Sequence, residues 1–282
     1  MKAGNRLATF LLYSVLCSAG LAHAASVGMV LDVSGTAHAT VAGHAKTLDI
    51  AVSLDAGTRI DLPKGSELSF VFYPSHQQYT LKGPAAVQLT DSSAKQLQGA
   101  AMLSKALPEN RSAAAIGFQD RVVPAAMVMR AFQVKPKPLQ PQDGETVLAE
   151  RPEFVWTSAA DESLDFTLTS DGTVVHQQKI QGERLELPAG LSLTSGRTYQ
   201  WQIAYTNGNK TTAKWIRFTV ASADVRAQLM QYEPASDAKL SDWVLYAMEL
   251  EQAQMKSQAG RIWKKVADQR PASTRIKDLA QQ

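Results

Sequence analysis

The side chains able to do chemistry in this chain are few and scattered. His38 and His44 are the only close histidine pair, and a zinc site would need them to converge with further ligands. They flank Ala42-Gly43, which suits a two-residue turn. With that turn, position 44 pairs with 41 and His38 faces Thr47, so the two imidazoles are not cross-strand neighbours. Asp32, Ser34 and His38 supply hydrolase residue types, but no nucleophile elbow or oxyanion hole accompanies them. Asp161, Glu162 and Asp165 could serve acid–base or calcium chemistry only by converging on one site; ahead of a strand they read as a solvated loop. No Walker loop, dinucleotide fingerprint or HExxH is present. The chain therefore reads as a non-enzyme, with no catalytic residue, cofactor or metal expected.

The remaining concentration of charge lies near the C-terminus, where Asp268 and Asp278 are the only acids among Lys256, Arg261, Lys264, Lys265, Arg270, Arg275 and Lys277. A solvated helix face explains such a run. A basic face also attracts anionic envelope material or an acidic protein surface, so Lys256, Arg261, Lys264, Lys265 and Arg270 are the candidate partner-binding residues. Five tryptophans, Trp156, Trp201, Trp215, Trp243 and Trp263, could stack on sugars, but their positions read as core filling with the indole N–H paired.

Around these residues the chain divides into segments. Lys2 and Arg6 precede an apolar run from Leu7 to about Ala22, and Ala22-His23-Ala24 fits a small-x-small cleavage site, so residues 1–24 read as a signal peptide. The run is shorter than the roughly 20 residues that span a bilayer. Cys17, the sole cysteine, leaves with that segment and lacks a lipobox before it. The rest must then hold together by core burial without disulfides. The formal net charge of +3 comes from 29 basic and 26 acidic residues; losing Lys2 and Arg6 leaves 27 against 26. That balance argues against a nucleic-acid partner, and no later segment is apolar enough to suggest a membrane span.

Residues 25–105 read as a small all-β domain. Leu48, Ile50, Val52 and Leu54 alternate with other residues, as do Leu68, Phe70 and Phe72, a period that buries one face of a strand and exposes the other. Val30 through Gly35-Thr36-Ala37, then Leu54-Asp55-Ala56-Gly57-Thr58-Arg59-Ile60, then Gly65-Ser66-Glu67-Leu68-Ser69-Phe70 resemble a FecR-type periplasmic domain over roughly residues 27–100. The resemblance implies a β-rich domain that contacts other proteins or envelope components, as regulators of siderophore-uptake signalling do, and implies no catalysis. No cytoplasmic segment ahead of a spanning helix is visible, so an anti-sigma role is not expected.

Residues 106–138 read as a linker or extension ending in Lys135-Pro136-Lys137-Pro138. Residues 139–222 read as a second β domain. Asp171-Gly172 marks a hairpin between Phe166–Leu168 and Val174-Val175, and Asn207-Gly208 marks another. A two-residue loop at the latter places Trp201 opposite Lys214, and a three-residue loop places it opposite Trp215. Pro152-Glu153-Phe154-Val155-Trp156 and Tyr199-Gln200-Trp201 resemble immunoglobulin-like or fibronectin type III sandwiches, which are mostly spacers and binding modules.

Residues 223–282 change to a helical period, with Trp243, Ala247 and Leu250 on one face and Ala259, Ile262, Trp263 and Val266 on another. Ser241 reads as an N-cap and Pro271 as a stop. Trp243-x2-Tyr246-Ala247-x2-Leu250, then Ala259-x3-Trp263 and Pro271, resembles one tetratricopeptide repeat. A single repeat cannot bury its own core, so this hairpin must pack on flanking helices, a β domain or another chain. The expectation is a mainly β chain with a C-terminal α segment: a FecR-like β domain, an Ig-like β-sandwich and a short helical hairpin. It would act in the periplasm through an envelope protein partner, with envelope glycan as the alternative ligand.

Overall fold

In the computed structural model the described residues are 25–119, 136–157, 163–207 and 210–281. The protein is mainly β with a C-terminal helical segment.

The first β domain is built from β1 (Ser26–Ser34), β2 (His38–Val41), β3 (His44–Thr47), β4 (Ser53–Asp55), β5 (Arg59–Leu62), β6 (Glu67–Phe72), β7 (Gln77–Lys82), β8 (Ala85–Leu89), β9 (Ala94–Gln98) and β10 (Leu103–Ala106). These form two sheets, ordered β10-β7-β6-β1-β4 and β3-β2-β5-β8-β9. Val30, Leu54, Ile60, Leu68, Phe70 and Val87 fill the space between them. The first histidine expectation holds: Val41 pairs with His44 and His38 with Thr47, around Ala42 and Gly43 at positive φ.

Two features differ from the alternation read in the sequence. Residues 48–54 are not one strand, because only Ser53–Asp55 forms β4. Ala51 takes φ 60, turning the chain so that Leu48 enters the inter-sheet core while Ile50 and Ala51 point into a second core. The outer face of β1 and β6 is also buried rather than wet: Met29, Leu31 and Val71 pack against helices.

Those helices are α1 (Glu109–Gln119) and, at the other end of the chain, α3 (Leu240–Gln252) and α4 (Lys256–Gln269). Residues 106–138 were read as linker or extension, yet their first part is α1, whose Ala115 and Phe118 are buried in the same cluster as Val244, Ala247 and Trp263, and Lys137 and Pro138 lie in a strand paired with Thr157 and Trp156; residues 120–135 lie outside the described ones. The signal for α1 was weak because small alanines carry the contact and give little amphipathic contrast. The Phe118 and Trp263 rings lie 5.4 Å apart between centroids, tilted at 37°. The helical hairpin, which cannot bury its own core, thus covers the open face of the first sheet.

Between these lies the second β domain: β11 (Lys137–Gln140), β12 (Glu145–Val147), β13 (Glu153–Thr157), β14 (Leu164–Ser170), β15 (Thr173–Ile180), β16 (Arg184–Glu186), β17 (Thr198–Asn207), β18 (Lys210–Thr212) and β19 (Ile216–Val220). One sheet runs β11-β13-β16 and the other β12-β19-β17-β14-β15, with β12 parallel to β19. This strand order is that of an immunoglobulin/fibronectin-type sandwich. Tyr199 adds the tyrosine corner of that architecture, its hydroxyl oxygen accepting the Thr194 N–H at 2.8 Å. Phe154, Phe166, Trp201 and Phe218 form the aromatic centre, with Phe154 4.9 Å from Phe166 and 5.2 Å from Trp201.

Ser170 pairs with Thr173, and Asp171 and Gly172 both take positive φ, the primed turn that Asp-Gly favours. In the next hairpin Asn207 pairs with Lys210, so Trp201 faces Ile216, neither Lys214 nor Trp215. Residues 208 and 209 lie outside the described ones.

The chain closes with α2 (Ala223–Tyr232), then α3 and α4, then α5 (Thr274–Leu279). Ser222 caps α2 by accepting the Val225 N–H. Ser241 is not the expected cap of α3: Lys239 holds that position, and the Ser241 hydroxyl instead accepts from Gln78 Nε2 at 2.9 Å. Among the described residues no helix is long and apolar enough to cross a membrane.

Candidate functional site

The helices and both β domains meet along a polar seam. Glu145 of β12 is buried, and its carboxylate accepts the Gln142 N–H at 2.6 Å and the Ser257 N–H at 2.7 Å. The second bond caps the start of α4 from another domain, where the first-turn N–H groups have no intrahelical partner. The Thr146 N–H donates to the Gln254 carbonyl at 2.9 Å. On the first domain Lys105 pairs with Asp242 at 2.8 Å, and Arg270 grips Asp32.

These ties redistribute the basic residues singled out in the sequence. Arg270 is spent on Asp32 and on the Val33 carbonyl. Lys265 lies 3.3 Å from the centroid of the Trp243 ring, a cation–π contact. Lys256 is half-buried at the start of α4, while Arg261 and Lys264 are exposed and have no ion pair among the described residues. Of the five candidates, then, two act inside the molecule and two face solvent. Asp32 is likewise committed to Arg270, not grouped with Ser34 and His38 for chemistry. Asp161 and Glu162 lie outside the described residues.

Four of the tryptophans are core residues: Trp156, Trp201, Trp243 and Trp263 are buried. Trp201 Nε1 donates to the Pro141 carbonyl at 3.2 Å, whereas Nε1 of Trp156 and of Trp263 has no hydrogen-bond partner among the described residues, against the expectation of paired indoles. Trp215 departs from this, being 44% exposed at a shallow depression of about 460 Å³ with Asp143, Gln200 and Arg217.

The residues that sequence reading missed are Arg111 and Glu249. Arg111 comes from α1, in the segment read as linker, and Glu249 from the apolar run of α3. Their guanidinium Nε and carboxylate oxygen are 3.0 Å apart, with side chains 10% and 6% exposed. Arg111 also donates from Nη2 to the Tyr232 carbonyl at 2.6 Å and lies 4.8 Å from the Tyr232 ring centroid. Burial pushes the Glu249 carboxyl from its ordinary 4.5 up to about 7, opposed by the Arg111 charge. A single acid inside an apolar helical run was the available signal.

Glu249 lines a cleft of about 480 Å³ where α1, α2 and α3 meet the end of β19. Val225, Leu229, Tyr232 and Ala253 supply apolar wall; Asn110, Ser222, Gln228 and Gln252 supply polar groups. The volume is that of a small-molecule site.

No family model and no curated protein matches the chain. Among solved structures it is similar to an engineered protein at 19% identity over 32% of this chain and 20% of that one, TM-score 0.27. It is also similar to the fibronectin(III)-like modules of Clostridium thermocellum CbhA at 17% identity over 32% of this chain and 99% of that one, TM-score 0.24. A third similarity is to a β-1,2-glucanase from Parabacteroides distasonis at 9% identity over 86% of this chain and 48% of that one, TM-score 0.24. The chain spans a fifth of the length of the first of these. The sandwich assignment rests on the strand order and tyrosine corner of the chain itself.

Proposed function

We propose that this is a non-enzymatic interaction or scaffold protein of the cell envelope, a structural or sensory accessory exported to the periplasm by residues 1–24. In this reading residues 25–105 act as a FecR-like domain and the helical segment as a tetratricopeptide-like hairpin. The observation that carries it is the orientation of α4: its apolar face is buried on α1 and α3 while Arg261 and Lys264 face outward. A partner docking on α4 would therefore meet charge and no apolar groove, and recognition there would be electrostatic and salt-sensitive.

The test is crosslinking of the mature protein in a periplasmic fraction beside the Arg261→Glu/Lys264→Glu variant. An acidic envelope protein captured by the first and lost by the second, with release by added salt, supports the reading. Equal capture by both removes it. Export has its own check, because N-terminal sequencing of the processed chain should begin at Ala25.

A second reading, binding of envelope polysaccharide or peptidoglycan, is favoured by Trp215. An exposed indole beside Asp143, Gln200 and Arg217 has the apolar face and polar rim that sugar rings use. Trp215→Ala should abolish retention on peptidoglycan fragments without altering the fold, and retention unchanged by that substitution discards this reading.

A further inference from the structure

The Arg111–Glu249 pair poses a problem that the fold alone does not resolve. Glu249 is 6% exposed, yet neither carboxylate oxygen has a hydrogen-bond partner among the described residues. Arg111 Nε sits close enough for charge attraction but is not aligned to donate, and it too lacks a hydrogen bond. Buried polar atoms are nearly always satisfied, and leaving an acceptor bare costs more than one ordinary hydrogen bond returns. The bare acceptor belongs to a residue lining an open cleft of about 480 Å³ whose surface is predominantly apolar.

From this geometry we propose that the cleft between α1, α2 and α3 binds a small molecule with an apolar body and one uncharged hydrogen-bond donor, a hydroxyl or primary amide, which bonds to Glu249. Val225, Leu229, Tyr232 and Ala253 cover the body, and Gln228 and Gln252 stand ready for further polar atoms. Charge selects the head group. Arg111 already balances the carboxylate, so an ammonium would leave a net positive charge against apolar walls, and a carboxylate would set two anions together. A neutral donor satisfies the acceptor without disturbing the pair.

The test uses the mature protein at pH 8.5, where the Glu249 carboxyl is ionised, and four probes sharing one chain: 1-hexanol, hexanamide, hexylammonium and hexanoate, followed by saturation-transfer NMR and calorimetric titration. Hexanol and hexanamide should bind at least tenfold more tightly than the two ions. Val225 is 36% exposed at the cleft, so Val225→Trp can block the cavity without repacking the core, and it should reduce binding of both neutral probes at least tenfold. The paired substitution Arg111→Met/Glu249→Met should keep binding of the hexyl chain but erase the preference for neutral donors over hexylammonium. Equal binding of all four probes, no binding of any, or binding indifferent to Val225→Trp overturns the proposal. If the paired substitution fails to fold by circular dichroism, the probe ranking and Val225→Trp decide alone.

Discussion

Arg270 and Asp32, 238 positions apart, close a two-pronged hydrogen bond, Nε to Oδ1 at 3.0 Å and Nη2 to Oδ2 at 2.9 Å. The pair joins the end of α4 to β1, so the last helices are pinned to the first strand. The side chains are 30% and 21% exposed, which places the pair between a screened surface contact and a buried one. Arg270→Ala should lower unfolding free energy by about 1 kcal/mol. Arg270→Lys should recover only part, since an ammonium cannot span both oxygens. Urea denaturation of the two variants measures the difference.

Glu145 gives a larger effect from deeper burial. Removing its carboxylate orphans the Gln142 and Ser257 N–H groups together, so Glu145→Ala should cost about 3 kcal/mol. Glu145→Gln, with one accepting oxygen, should cost less. Amide exchange at Ser257 should accelerate in both variants if the cross-domain cap holds the start of α4. Unchanged exchange there would show that the cap contributes nothing.

Glu249 makes stability depend on pH. Its folded-state carboxyl is raised from 4.5 to about 7, so between those values the folded chain binds more protons than the unfolded one. The stabilising contribution is complete below the unfolded value and is lost as pH rises through the folded one. The charged and titratable groups around it are Arg111 from α1 and, on α3, Tyr246, whose own pKa is raised by burial and then by Glu233 and Glu249. The expected loss between pH 4.5 and 8 is up to about 3 kcal/mol. Glu249→Gln should flatten that slope, and denaturation midpoints at pH 5 and pH 8 supply the comparison.

Tyr199→Phe tests the tyrosine corner. It removes the acceptor of the Thr194 N–H while leaving the ring stacked 5.7 Å from Phe218. A loss of about 1 kcal/mol is expected, with faster amide exchange confined to the sandwich around Thr194. A uniform change across all domains would argue against a local role.

How legible the fold was varied with the range of the interaction. Turns at Ala42-Gly43 and Asp171-Gly172 could be read because positive φ is a demand made residue by residue. The buried outer faces of β1 and β6 could not, since Met29 and Val71 look the same whether they face water, a helix or a second sheet. The Trp201 register failed on a single residue of turn placement. Of the cleft, only Glu249 left a trace, as an acid in an apolar run, and Arg111 lay in a segment read as linker.

Local pattern therefore determined the mainly β character with a helical end and the burial of four of the five tryptophans read as core, Trp215 being the exception. Residue type and period suffice for these because each follows from short-range sterics and from which side chains water rejects. Tertiary structure alone decided that the terminal helices roof the first sheet, that Arg270 and Lys265 serve internal contacts, and that Arg111 meets Glu249 beside a cavity. Those outcomes depend on which surfaces meet across more than a hundred positions, and a buried charge pair exists only once both partners have left water together.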